Sequence, residues 1–125
     1  MSAVTQCADA LDAAQRDRRA IPRLTEEHPQ LDLVTAYEVQ DELVRRAVAR
    51  GDRVVGAKLG LTARAKQEQM GVSEPVYGAV LASSLHPAAE AVDTTQLIHP
   101  RVEPEIVLVI GDRLQGPGVT AADVL

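Results

Sequence analysis

Glu103 and Glu105 stand two residues apart inside a strongly apolar run, RVEPEIVLVIG. In a strand, side chains alternate between faces, so both carboxylates would leave on one face, roughly 7 Å apart at about 3.3 Å per residue. Val107 and Val109 continue that face, while Ile106, Leu108 and Ile110 line the other. Two like charges beside such a run repel and pay for desolvation unless a cation sits between them. A hard divalent metal would serve, because it prefers oxygen ligands. An Arg or Lys partner would serve too. The plain alternative is the surface-facing edge of an amphipathic strand.

Lys58 is the second residue of chemical interest. It lies in another apolar run, VVGAKLGL, where an unpaired ammonium would be costly. Either its stem snorkels to water from a strand edge, or a nearby anion shifts its pKa and makes it a proton carrier. Gly56 and Gly60 flank it. They either let backbone approach a ligand closely or merely bend the strand. His86 and His99 have no partners at metal-site spacing. Arg101 could pair with a substrate carboxylate or with a neighbouring glutamate.

The elements that must position these residues follow from periodicity. Val4, Ala8, Leu11 and Ala14 recur at helical steps, so a helix is expected from about Val4 to Ala20, ended by Pro22. The polar stretch RLTEEHPQLD reads as a loop, with His28 exposed in it. Thr35 with Glu38 forms a capping box, Val39, Leu43, Val44, Ala47 and Val48 give one apolar stripe, and Gly51 supplies the stop. A short strand over RVVGAKLGL follows, then a brief helix from Thr62 to Met70 closed by Gly71. The stretch Val72–Thr95 reads as loop-rich, and the strand carrying Glu103 and Glu105 comes next. Thr120 with Asp123 forms a second capping box, in TAADVL. The helix it announces has about one turn of chain behind it, too little to pass nucleation. The expectation is therefore the front part of a longer protein. The class is α+β: an N-terminal helical region over residues 1–52, then strands in the first part of a β-rich domain over 53–125.

Composition narrows the function classes. The 125 residues are 46% hydrophobic with Tyr37 and Tyr77 as the only aromatics, so the core must be aliphatic. The net charge is −5 with no basic stripe, which argues against nucleic acid. The single cysteine, Cys7, cannot form an internal disulfide, and its Ala-rich setting suits packing. A reducing, cytoplasmic setting fits. No apolar run approaches the roughly 18–20 residues of a membrane span, and no signal peptide is legible at the N-terminus.

Three segments in order, VVGAKLGLTARAKQEQMGVSEPVYGAV, LIHPRVEPEIVLVIG and LQGPGVTAADVL, resemble the N-terminal half of the fumarylacetoacetate hydrolase superfamily. More narrowly they are similar to the hydratase/decarboxylase branch of meta-cleavage catabolism of aromatics. That branch holds 4-oxalocrotonate (2-oxo-3-hexenedioate) decarboxylases and 2-oxopent-4-enoate hydratases. AKQEQMGVSEPVYG and LIHPRVEPEI look closer to the decarboxylases, and GPGVTAADVL has its like in the hydratases. The resemblance implies a curved mixed β-sheet, of which this chain supplies only the first part, with the C-terminal half missing.

The resemblance also implies roles. The family's E-x-E metal pair falls on Glu103 and Glu105, for Mg²⁺ or Mn²⁺. Its active-site lysine, in GxKxGxTS, falls on Lys58. Gly56, Leu59 and Gly60 around the lysine, with Tyr77 and Gly78 on a following loop, would contact substrate. A packed core aromatic is the other reading of Tyr77. Ala63 stands where the family usually has a serine, so a hydroxyl role there is in doubt. The implied substrate is a small 2-oxo acid whose carboxylate and carbonyl oxygen are held by the metal, with Lys58 placing or moving a proton. A third metal carboxylate would fall beyond Leu125, so the 125 residues alone are expected to be inactive or nearly so. The resemblance further implies a homo-oligomer and a hydratase–decarboxylase complex. Two competing readings are an acylpyruvate hydrolase, whose lid residues are not identifiable here, and a non-enzymatic remnant or associating subunit.

Overall fold

A computed structural model describes residues 1–124, and the α+β order expected from the sequence holds. Leu125, the last residue of TAADVL, lies outside the described residues. Helix α1 spans Ala3–Arg16, opened by Ser2, whose Oγ accepts the Thr5 N–H at 3.2 Å. It stops at Arg16 rather than near Ala20. Arg18 adopts a φ of +51°, which takes the chain out of the helix before Pro22 is reached. A single turn, α2 (Leu24–Glu27), forms inside the stretch expected to be loop.

Helix α3 runs Leu33–Ala49, and its cap is Asp32 rather than Thr35. Asp32 Oδ1 accepts the Thr35 N–H at 2.8 Å, which draws Leu33 and Val34 into the first turn. Both residues are strong caps; the upstream one wins because Thr35 is already its partner. Gly51, at φ +97°, follows the helix as the expected stop.

The core lies between α1 and α3. Cys7 and Ala8 are fully buried against Val39, with Val4, Leu11, Leu24, Leu31 and Leu43 packed around them. Small residues on α1 let the helices approach, and Cys7 has the packing role its context suggested. Arg46 Nη1 to Asp9 at 2.8 Å and Arg50 Nη2 to Asp12 at 3.0 Å clamp the helix pair at its rim.

The sheet is a two-stranded antiparallel pair, β1 (Val54–Gly60) and β2 (Val76–Leu81), joined by α4 (Arg64–Met70). β2 falls inside the stretch read as loops. Gly78 interrupts an otherwise β-prone VYGAVL, which hid it. The strand expected over residues 101–110 does not form a ladder, so among the described residues the sheet is neither mixed nor curved around a third strand. A strand needs a partner for its backbone groups, and Pro104 removes one donor between the two glutamates. Val102, Ile106 and Val109 are more than nine-tenths exposed there. One turn of helix, α5 (Ala121–Val124), follows Thr120, whose N–H donates to Asp123 Oδ2 at 2.6 Å, the reciprocal half of the expected capping box. No helix among the described residues is long and apolar enough to cross a membrane.

Candidate functional site

In the ladder, Lys58 pairs with Gly78, Gly60 with Val76, Gly56 with Val80 and Leu59 with Tyr77. Alternation along a strand then sorts the candidate residues. Gly56, Lys58, Gly60 and Gly78 share one face. Leu59 and Tyr77 leave on the other, so their side chains do not join Lys58. Tyr77 instead stacks on Tyr37 of α3, with ring centroids 4.6 Å apart and planes 17° apart. The Tyr77 backbone N–H also donates to the Tyr37 hydroxyl at 3.3 Å. Tyr77 is thus neither a core residue nor a neighbour of the lysine: it ties β2 to α3 at the surface.

The lysine face is where the carboxylates converge. Lys58 Nζ donates to Glu105 Oε1 at 2.6 Å and lies 3.8 Å from Glu103 Oε2. Both glutamates therefore turn to the same side, although their segment is not in a ladder. All three side chains are about half or more exposed, Lys58 at 54% and the glutamates at 66% and 51%. The hydrogen bond that Lys58 donates to Glu105 is the main reason its pKa is raised above the ordinary lysine value, with the charges of both glutamates adding to it. Lys58 is an ammonium at neutral pH, able to donate a proton or a hydrogen bond, and not a base.

The glycines on this face have steric roles of their own. A Cβ on Gly60 would stand 3.0 Å from Val76 Cγ2, and one on Gly78 would stand 3.3 Å from Gln40 Oε1. Gly56 has room for a methyl, its nearest neighbour being 3.9 Å away. After Gly60 the chain turns sharply, with Leu61 at φ +55°. Gln67 Nε2, reaching back from α4, donates to the Leu61 carbonyl at 2.7 Å and holds that conformation. Sequence reasoning missed Gln67, because a contact six residues back across a turn leaves no periodic signal.

The remaining candidates lie elsewhere. His86 contacts the Glu90 carbonyl at 3.2 Å, and His99 sits in a left-handed conformation at φ +48°. Arg101 forms no ion pair among the described residues. A cleft of about 430 Å³ between α1, α3 and β2 is lined in part by Asp12, Arg50, Asp52 and Ser83. Its charges are already satisfied, Arg50 by Asp12 and Asp52 by the Ser83 hydroxyl and backbone N–H, so it offers no free chemistry.

The donor set suits a hard divalent cation. Two carboxylates already converge on one cationic atom, and Mg²⁺ is commonly held by one or two carboxylates together with waters and ligand oxygens. No group of three His, Cys, Asp or Glu residues placed to hold a metal exists among the described residues. The protein would thus supply two ligands from this part of the chain.

Comparison with known proteins bears out the narrower resemblance, to 4-oxalocrotonate decarboxylases and the related hydratases. The chain is 43% identical over 122 residues to a 4-oxalocrotonate decarboxylase of Pseudomonas sp. (strain CF600), covering 98% of this chain and 46% of that protein. It is 37% identical over 120 residues to a 2-oxo-hept-4-ene-1,7-dioate hydratase of Escherichia coli, covering 96% and 45%. The structure of the 4-oxalocrotonate decarboxylase from Pseudomonas putida G7, complexed with magnesium and adipate, superposes with a TM-score of 0.88 at 40% identity, over 97% of this chain and 46% of that one. A structure of the same enzyme complexed with calcium and acetate gives a TM-score of 0.89, also at 40% identity, over 97% of this chain and 47% of that one. The match is to the N-terminal part of that fold. The chain spans about half the length of the relatives it matches. No family model matches it.

Proposed function

We propose that this chain is the N-terminal part of a divalent-metal-dependent lyase acting on small 2-oxo or enol acids of aromatic meta-cleavage catabolism, a 4-oxalocrotonate decarboxylase. The observation that carries the proposal is the convergence of Glu103 and Glu105 on the Lys58 ammonium, at 3.8 and 2.6 Å, in a chain 43% identical to such a decarboxylase. The bound metal, Mg²⁺ or Mn²⁺, would supply Lewis-acid polarisation of the substrate's carbonyl.

The chain's own residues would do the rest. Glu103 and Glu105 would hold the cation from one side. The Lys58 ammonium would bind the anionic end of the acid and deliver a proton to the carbon left electron-rich once the carboxylate departs. Gly56 and Gly60 would keep that strand face open to substrate. Gly78 and the Leu59 and Tyr77 backbone would form its floor, with the Leu59 and Tyr77 side chains turned away. The domain would begin near residue 53 and be fumarylacetoacetase-like. The whole protein would be cytoplasmic and homo-oligomeric, would pair with a hydratase, and would take its third metal carboxylate from beyond Leu125.

The alternative is a hydratase of the 2-oxopent-4-enoate type. It is favoured by the 34% identity to a 2-hydroxypent-2,4-dienoate hydratase of Pseudomonas putida over 98% of this chain. In that case the same ammonium would protonate a dienol before water adds. A chimaera of residues 1–125 with the second half of a relative, assayed with 2-oxo-3-hexenedioate and 2-hydroxypenta-2,4-dienoate in Mg²⁺, separates the readings. Release of CO₂ supports the decarboxylase, and hydration alone supports the hydratase. A folded chimaera that does neither contradicts both.

A further inference from the structure

We propose that the Lys58 ammonium and a divalent cation compete for the Glu103–Glu105 carboxylates, so that a metal entering the site expels Lys58 and turns it toward substrate. This rests on the reading of the two glutamates as metal ligands.

Three observations carry it. The place where the two carboxylates converge is held by Nζ itself, 2.6 Å from Glu105 Oε1 and 3.8 Å from Glu103 Oε2. A cation bridging both carboxylates could not share that place with the ammonium. Second, Lys58 is the cation paired with these carboxylates among the described residues: Arg101, two residues from Glu103, forms no ion pair, and Lys66 and Arg64 are engaged locally, with Gln69 at 3.0 Å and Glu68 at 3.2 Å. Lys58 is thus the resident counter-ion. Third, nothing locks the lysine in place. Its direct ladder partner is Gly78 and its same-strand neighbours on that face are Gly56 and Gly60, with Val76 and Val80 only diagonal to it, so no side chain stands directly opposite its stem, which is half exposed. A half-exposed monovalent ion pair contributes little, and a divalent ion has twice the charge to set against it. An expelled ammonium on a glycine-lined face finds its next anion in the substrate carboxylate. In this arrangement metal binding comes first, and it creates the acid's second contact.

The test compares Mn²⁺ affinity, by paramagnetic resonance, in the wild-type chain, K58M and the control K66M. Alongside it, Lys58 and Lys66 are acetylated competitively with and without Mg²⁺ and read by mass spectrometry. These are the only two lysines, so Lys66 is an internal reference. Competition predicts Mn²⁺ binding about tenfold tighter in K58M and unchanged in K66M, with the Lys58-to-Lys66 labelling ratio rising several-fold as Mg²⁺ binds. E105Q should raise that ratio without metal. Tighter binding with an unchanged ratio would mean repulsion at a distance and overturns the displacement, as does a wild-type affinity in K58M. Binding seen in K58M alone is the limiting case of competition and supports it. Binding in neither chain overturns the metal-ligand reading itself, and the proposal with it.

Discussion

Lys58 stands opposite Gly78 in the β1–β2 ladder, and this pairing leaves the lysine without a side chain directly across from it. It therefore reaches outward to Glu105, 47 residues further along the chain. The glycines around it are not equivalent. Gly60→Ala places a methyl 3.0 Å from Val76 Cγ2, whereas Gly56→Ala meets nothing closer than 3.9 Å. G60A is expected to cost about 1–3 kcal/mol, and G56A to stay within about 0.5 kcal/mol of wild type. Denaturant midpoints at unchanged slope check both.

Gln67→Ala removes the donor that holds the Leu61 carbonyl at the turn after Gly60. A loss of about 0.5–1.5 kcal/mol is expected, together with faster amide exchange across Leu61–Ala63. Exchange rates equal to wild type would mean the turn holds itself.

The α1–α3 pair has a pH dependence set by Glu42. Its hydrogen bonds from Arg45 and then Arg46 depress its pKa from 4.5 to about 2. A carboxyl depressed in the folded state stabilises fully above its unfolded value and loses that contribution as pH falls toward the folded one. The melting temperature of wild type should exceed that of E42Q at pH 6, and the gap should close between about pH 4.5 and pH 2. Because the pairs lie at the surface, with Arg45 exposed and Glu42 and Arg46 half-buried, salt should narrow the gap at pH 6 in part.

The segment Ile106–Ile110 combines β-prone side chains, no charge, no proline and no ladder partner, with Ile106 and Val109 each 93% exposed. Such windows associate through their free backbone. Val107→Lys should lower the sedimentation-derived association of the chain without moving its helical circular dichroism. Equal association in V107K would show that this segment is not the contact.

Local signals were the legible part of the fold. The α1 stripe, the Gly51 and Gly71 stops, the β1 run and the Thr120–Asp123 cap all act within a few residues, and all are found where the sequence places them. What failed depended on competition or on distant partners. Asp32 and Thr35 are both good caps, and spacing alone does not choose between them. β2 was obscured by Gly78, where a Cβ would stand 3.3 Å from the side chain of a helix residue, Gln40, far away in sequence. The strand expected at residues 101–110 had the right side chains but no partner. Of the candidate site, the same-side placement of Glu103 and Glu105 was legible, and a lysine counter-ion was one of the options. That Lys58 fills this place, and that the Leu59 and Tyr77 side chains turn to the other face, needed the register of the ladder.

The central claim is that Glu103 and Glu105 form a divalent-cation site that works with a 2-oxo acid. Calorimetric titration of Mg²⁺ into the chimaera of residues 1–125 with the second half of a relative, with oxalate as an enolate mimic, tests it most directly. The account predicts oxalate-dependent Mg²⁺ binding that E105Q and E103Q each weaken about tenfold or more. Equal Mg²⁺ heats in the folded chimaera and both of its variants would contradict it.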